Sequence, residues 1–341
     1  MKKVKEIIKN NVKVFVGIII GTIVTGTGVY AATVINASDV SYKNASSEMT
    51  STNVQGAIEE LNTKATTKIA EAKKECPDGY RCEENKLCKR ATILHTENCT
   101  QTSTSSYCQA DGYSLNSEIE YGSLGTKGVL TSGDAFDCDV NGDGIYNAST
   151  ERFYYVSDMT NGVTQDSNTA VLIYYNNVSG GVASNSDTYV YDSSSKNNNG
   201  PVTAIKQLPT TSQWTNVSLT NTTRVITNEK GGNTTRTGTL PTAFSYAGYA
   251  ARLLTYQEVY NGCYDGTTIS TKCKYLMENT KYSSSSLKTF GGWLESPSES
   301  HSGNAWGVNA GNRIVNDYAV RYAGSFGVRP AIEVLKSNIS Y

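Results

Sequence analysis

The 341-residue sequence predicts an α+β protein, mostly β: a loop-rich head preceded by a single transmembrane helix and a helical stalk. Three observations carry that expectation. One long charge-free apolar run lies near the N-terminus, one helical seam follows it, and the remainder alternates short β-branched and aromatic runs with Gly, Asn, Asp and Ser. Composition narrows the function classes. Charged residues make up 18%, against about 25% in an average domain, and the net charge of −1 gives no pull toward nucleic acid. With 23 Tyr the chain is not a disordered tail, and a single apolar run excludes a polytopic membrane protein.

Residues 1–13 form a basic leader with Lys2, Lys3, Lys5, Lys9 and Lys13 against Glu6. No charge occurs from Val14 to Ile35. As a helix this run would be roughly 33 Å long, enough for a bilayer core. Lysines before it and none just after it place the downstream chain outside. Val29-Tyr30-Ala31 also offers a signal-peptidase site, so the run is either a retained anchor or a cleaved signal. The expected location is a bacterial cell membrane, single-pass with the C-terminal part extracellular, or secretion. The membrane is the partner expected for residues 14–35.

Residues 36–75 read as a stalk. Val54, Ile58, Leu61, Ala65 and Ala72 fall on one seam, with Thr52 or Asn53 available as the cap, so a helix is expected over 53–75. The helix is either a spacer or a stem for a homo-oligomer, because three heptads with a weak slot at Lys68 are marginal for a coiled coil. Its words resemble short segments of phage tail fibres.

All eight cysteines, at 76, 82, 88, 99, 108, 138, 263 and 273, follow the apolar run. An even count with no CxxC pair reads as disulfides rather than zinc thiolates. Cys263 and Cys273 are expected to close a local loop. A cysteine-rich module is expected over 76–110, with Cys138 tying it to the head, residues 111–341.

Asp139, Asn141 and Asp143 alternate, Gly144 follows, and Ile145 and Asn147 continue the spacing. This matches the first half of an EF-hand-like calcium loop, in which Ile145 would offer its carbonyl. The twelfth position is Thr150, and Glu151 stands one place late. Calcium is the one cofactor the sequence suggests. An Asx-rich turn bonding its own backbone explains the same residues.

In the head, Arg152–Val156, Ala170–Tyr175, Gly292–Leu294, Ala305–Val308 and Gly327–Leu335 read as strands, and Thr255 with Glu258 as the capping box of a short helix. Four segments in order carry a resemblance. They are Arg252-Leu253-Leu254-Thr255-Tyr256-Gln257-Glu258, Trp293-Leu294-Glu295-Ser296-Pro297, Ala305-Trp306-Gly307-Val308 and Gly327-Val328-Arg329-Pro330-Ala331. Together they resemble the formylglycine-generating-enzyme (sulfatase-modifying factor) type of the C-type-lectin-like fold, as in bacterial surface proteins ending in that last motif. The resemblance implies a C-type-lectin-like head with Glu258 and Arg329 as structural residues, candidates for one ion pair. The family's oxidase chemistry does not carry over, because no cysteine follows Cys273. His95 and His301 are the only histidines, and no GxSxG, HExxH or P-loop occurs. The expected function is a membrane-tethered extracellular surface protein, a glycan- or protein-binding or adhesive module without catalysis. His301, Asn304, Trp306, Tyr318 and Tyr322 are the candidate ligand contacts. An exported enzyme of the same fold, or a phage-derived oligomeric display protein, is the alternative.

Overall fold

The two runs richest in β-branched and aromatic residues become the two longest strands and form the centre of the main sheet. The computed structural model describes residues 40–41, 51–74, 86–103, 105, 107–108, 115–160, 165–224, 243–263, 271–280, 291–298, 301, 303–309, 314–321, 324 and 326–341. The chain divides into two compact units, Met1–Cys76 and Pro77–Tyr341.

In the first unit the expected helix is present as α1 (Val54–Lys74). Asn53 caps it, its Oδ1 accepting from the Gly56 N–H at 2.7 Å. Glu60 reaches back to the backbone N–H and hydroxyl of Ser51, at 3.0 and 2.7 Å, and so ties down the entering chain. Ala57 is buried, whereas Ile58 and Leu61 of the seam are exposed.

The second unit begins with β1 (Cys88–Arg90), β2 (His95–Asn98), β3 (Glu118–Tyr121), β4 (Ala135–Cys138), β5 (Arg152–Thr160) and β6 (Gln165–Tyr174). Two short pairs follow: β7 (Val178–Ser179) with β8 (Val182–Ala183), and β9 (Thr223–Arg224) with β10 (Phe244–Ser245). Then come α2 (Tyr256–Cys263) and an antiparallel meander of β11 (Gly291–Pro297), β12 (Asn304–Asn309) and β13 (Ile314–Ala319). The strands β14 (Ala331–Leu335) and β15 (Ile339–Ser340) close the chain.

Strand order in the main sheet is β14-β6-β5-β4-β1-β15. The two edge strands are consecutive in sequence, separated only by Lys336–Asn338. A flat sheet would hold them about 24 Å apart, whereas the link from Leu335 to Ile339 reaches at most about 14 Å. The sheet therefore curls until its edges approach at this end. Both of its faces are covered. Alternation sends Phe153, Tyr155, Ala170, Leu172, Ile332 and Val334 into one apolar cluster. It sends Tyr154, Val156, Val171, Ile173 and Ala331 into another on the opposite face. Two-sided burial is why these strands read as continuous apolar runs.

Six described cysteines are paired, as Cys88–Cys138, Cys99–Cys108 and Cys263–Cys273. The Cys263–Cys273 pairing agrees with the expected local loop. Cys138 pairs with Cys88, so this bridge joins the neighbouring strands β1 and β4 of the main sheet. Cys99–Cys108 tethers the loop between β2 and β3. Cys76 and Cys82 lie outside the described residues.

The expected architecture of a single transmembrane helix, a helical stalk and a C-type-lectin-like head is corrected here. The described residues are mostly sheet, with two α-helices, neither long and apolar enough to cross a membrane. The reasons are local. α1 carries Glu59, Glu60, Lys64 and Lys68 along its length, and α2 is only eight residues, about 12 Å. The charge-free run 14–35 lies outside the described residues. Nothing in this sheet order identifies a lectin-like fold.

Candidate functional site

Strand β3 alternates exposed Glu118 and Glu120 with buried Ile119 and Tyr121, so one face packs and the other points out. Its outward glutamates form one wall of an open cleft of about 600 Å³. Ser123, Thr126, Thr131 and Ser132 supply hydroxyls, Asp134 a carboxylate and Lys274 the single ammonium. Arg90 braces the loop between β3 and β4 that carries several of these residues. Its guanidinium donates to the carbonyls of Leu124 (2.8 Å), Thr126 (3.0 Å) and Val129 (2.8 Å), and lies 3.3 Å from Asp134. Gly125 sits against that guanidinium at a positive φ, and a Cβ there would collide with it, so only glycine fits. The Ser132 hydroxyl meets the Tyr275 hydroxyl at 2.9 Å, beside the Cys263–Cys273 bridge. Burial pushes the Tyr275 phenol up to about 12, so it stays a neutral partner.

A second cavity, of about 260 Å³, is lined by Thr96, Glu97, Tyr121, Glu278, Asn279 and Thr280, with Ser105 and Asn185. His95 stands beside it. Its Nδ1 is 2.5 Å from Glu278 Oε1 and its Nε2 is 2.6 Å from the Ala148 carbonyl. Both ring nitrogens face acceptors, so the imidazole serves as a clamp and offers no free lone pair to a substrate. The Tyr154 hydroxyl donates to the other oxygen of Glu278.

The acidic loop lies between β4 and β5, and the Asx pattern is present. The N–H groups of Asp143, Ile145 and Ser149 donate to Asn141 Oδ1 (2.9 Å), Asp143 Oδ1 (2.7 Å) and Asn147 Oδ1 (2.9 Å). Gly144 takes φ of +80°, as the turn requires, and its N–H donates to Asp139 Oδ2 at 3.1 Å. Glu151 folds back into the loop, its Oε2 accepting from the Asn147 N–H at 3.0 Å. Burial pushes the Glu151 carboxyl up to about 7, opposed by that N–H and assisted by the charges of Asp143 and Asp139. Among the described residues no group of three or more His, Cys, Asp or Glu is arranged to hold a metal ion.

The residues expected to be structural are buried, but their pairing is corrected. Glu258 does not pair with Arg329. It forms the capping box with Thr255, through bonds of 2.8 and 3.2 Å, and takes both outer nitrogens of Arg252, at 2.9 and 2.7 Å. Arg252 is six residues from Glu258 on the same segment, and its Nε also donates to Glu333 at 2.7 Å. Arg329 instead donates to four carbonyls, those of Tyr174, Tyr275, Leu276 and Glu278. A second buried cluster in the same unit repeats the theme, with Arg224 Nε on Glu295 at 3.0 Å and the Tyr246 hydroxyl on the same carboxylate.

Of the ligand contacts expected from sequence, the structure brings His301 and Asn304 together. His301 is exposed, and its carbonyl accepts from the Asn304 N–H and from Asn197 Nδ2. Asn304 is half-buried at the start of β12, its carbonyl held by the same amide. Trp306 packs on the ring of Tyr256 at 4.2 Å between centroids. Tyr318 lies opposite Ala305 in the β12–β13 register, its side chain outside the described residues, as is Tyr322 entirely. None of the described ones lines either cavity. The residues that do come from four separate segments without a motif, which is why sequence reasoning missed them. No family model matches the chain, and no curated protein or solved structure matches it either, so the motif resemblance stands on its own residues alone.

Proposed function

We propose that the protein is an exported, non-catalytic binding module that takes a basic segment of a partner protein into the cleft beside β3. The observation that carries this reading is the cleft's composition. Two exposed carboxylates, Glu118 and Glu120, and a row of hydroxyls face one lysine, while the buried Asp134 is already matched by Arg90, so the cleft favours cationic groups that also donate hydrogen bonds. The paired cysteines support export to an oxidising exterior. The apolar run 14–35 would be the route, as anchor or signal.

The test is fluorescence anisotropy with lysine- and arginine-rich peptides on the full chain, alongside an array of neutral glycans. Peptide binding that weakens with salt and is lost in Glu118→Gln/Glu120→Gln supports the reading, since both side chains are exposed and their loss spares the fold. Glycan binding unchanged by that variant would reject it.

A further inference from the structure

We infer that the loop from Asp139 to Glu151 is a calcium site, and that Glu151 supplies the carboxylate that the sequence spacing lacks at Thr150. Two buried carboxylate oxygens in this loop, Asp139 Oδ1 and Glu151 Oε1, have no hydrogen-bond partner. Both residues are more than nine-tenths buried, at 7% and 4% exposure. A buried carboxylate oxygen without a donor is costly, and native folds leave few of them. Their sister oxygens are held by the N–H groups of Gly144 and Asn147, which orients both carboxylates within the loop. A cation between them removes the cost.

The donor chemistry selects calcium. The loop offers only oxygens: the buried carboxylates of Asp139 and Glu151, the amides of Asn141 and Asn147, and the carbonyl of Ile145. No three His, Cys, Asp or Glu of the described residues converge, which argues against zinc and its relatives. Calcium does not need a third carboxylate. It accepts about six to eight oxygens in flexible geometry and takes amide and backbone oxygens readily, whereas magnesium demands a stricter octahedron.

Glu151 stands one place beyond the usual final ligand, and the turn makes up the difference. The N–H groups of Thr150 and Glu151 both bond the Asn147 carbonyl, at 3.1 and 2.7 Å, which swings the Glu151 side chain inward. The shoulders of the loop are already fixed. Thr215 Oγ1 donates to the Asn141 carbonyl at 2.6 Å, and Asn216 Nδ2 to that of Asp139 at 2.8 Å. The Tyr174 hydroxyl donates to the Thr150 carbonyl at 2.8 Å, and Cys88–Cys138 anchors the root. Binding therefore has little backbone to order.

The experiment uses the full chain with its disulfides intact, stripped of metal by chelator. Calcium chloride is titrated to about 10 mM, above the weak extracellular range, with calorimetry and thermal unfolding as readouts. A saturable heat and a rise in Tm with calcium, and a smaller response to magnesium, are expected. Glu151→Gln should keep the fold by circular dichroism and lose the calcium-dependent rise in Tm. Asn141→Ala, at an exposed position, should weaken calcium without unfolding the chain. No heat and no shift in the folded wild type, an unchanged shift in Glu151→Gln, or an equal response to magnesium would each overturn the assignment.

Discussion

Arg252 shows how much one residue can organise. It is fully buried and holds Glu258, Glu333 and the Leu253 carbonyl at once. Removing it leaves two carboxylates buried without a counter-charge, a loss of about 3–5 kcal/mol for a broken buried pair. Arg252→Met should lower stability by that amount in chemical denaturation; a loss under about 1 kcal/mol would mean that water reaches the pair. The same contacts set a pH dependence. Burial raises the Glu333 carboxyl, but the charge and hydrogen bond of Arg252 outweigh it, and the net shift is downward. Asp192 is likewise held low by Ser194, Lys196 and Asn199, against its own burial. A depressed folded value means that this stability is complete above the ordinary carboxylate range and is lost as pH falls through the folded values. Tm should therefore be level from neutral pH down to about 4.5 for these two groups and fall below it. Glu333→Gln should flatten that acid limb; an unchanged limb would exclude the residue as its source.

At the scale of elements, local chemistry was legible in the sequence and distant pairing was not. The capping box of α2 was readable because Thr255 and Glu258 lie three residues apart and satisfy each other's backbone donors. Thr255→Ala should cost about 1 kcal/mol, measured by thermal unfolding, and circular dichroism should show the rest of the fold intact. Strands β5 and β6 were readable because a buried strand needs apolar residues on both faces. Strand β1 was not. Cys88-Lys89-Arg90 has no strand pattern of its own, and pairs with residues 136–138 and 339–340. The cleft was hidden for the same reason, since its walls meet only after β3, the loop before β4 and the segment around Lys274 are brought together.

For the second unit as a whole, two of the disulfides differ in reach. Cys88–Cys138 spans 50 residues and joins two neighbouring strands, whereas Cys99–Cys108 spans nine within one loop. Loop-closure entropy makes the first worth about 4 kcal/mol and the second roughly 2–3 kcal/mol. The double variant Cys88→Ala/Cys138→Ala should therefore lose more stability than Cys99→Ala/Cys108→Ala, and the reverse order in urea titration would show that the unfolded chain is not the state these bridges act on. The sequence by itself determined what depends on near neighbours: the helix at 54–74, the central strands, the cap of α2, the Cys263–Cys273 loop and the oxygen-rich turn at 139–147. Only tertiary structure decided the partners of Arg252, Glu258 and Arg329, the strand at Cys88, the cleft beside β3 and the inward turn of Glu151. Those depend on which surfaces meet once the chain has paid its conformational entropy, and a buried charge takes whichever counter-charge or carbonyl the folded backbone carries within hydrogen-bond reach.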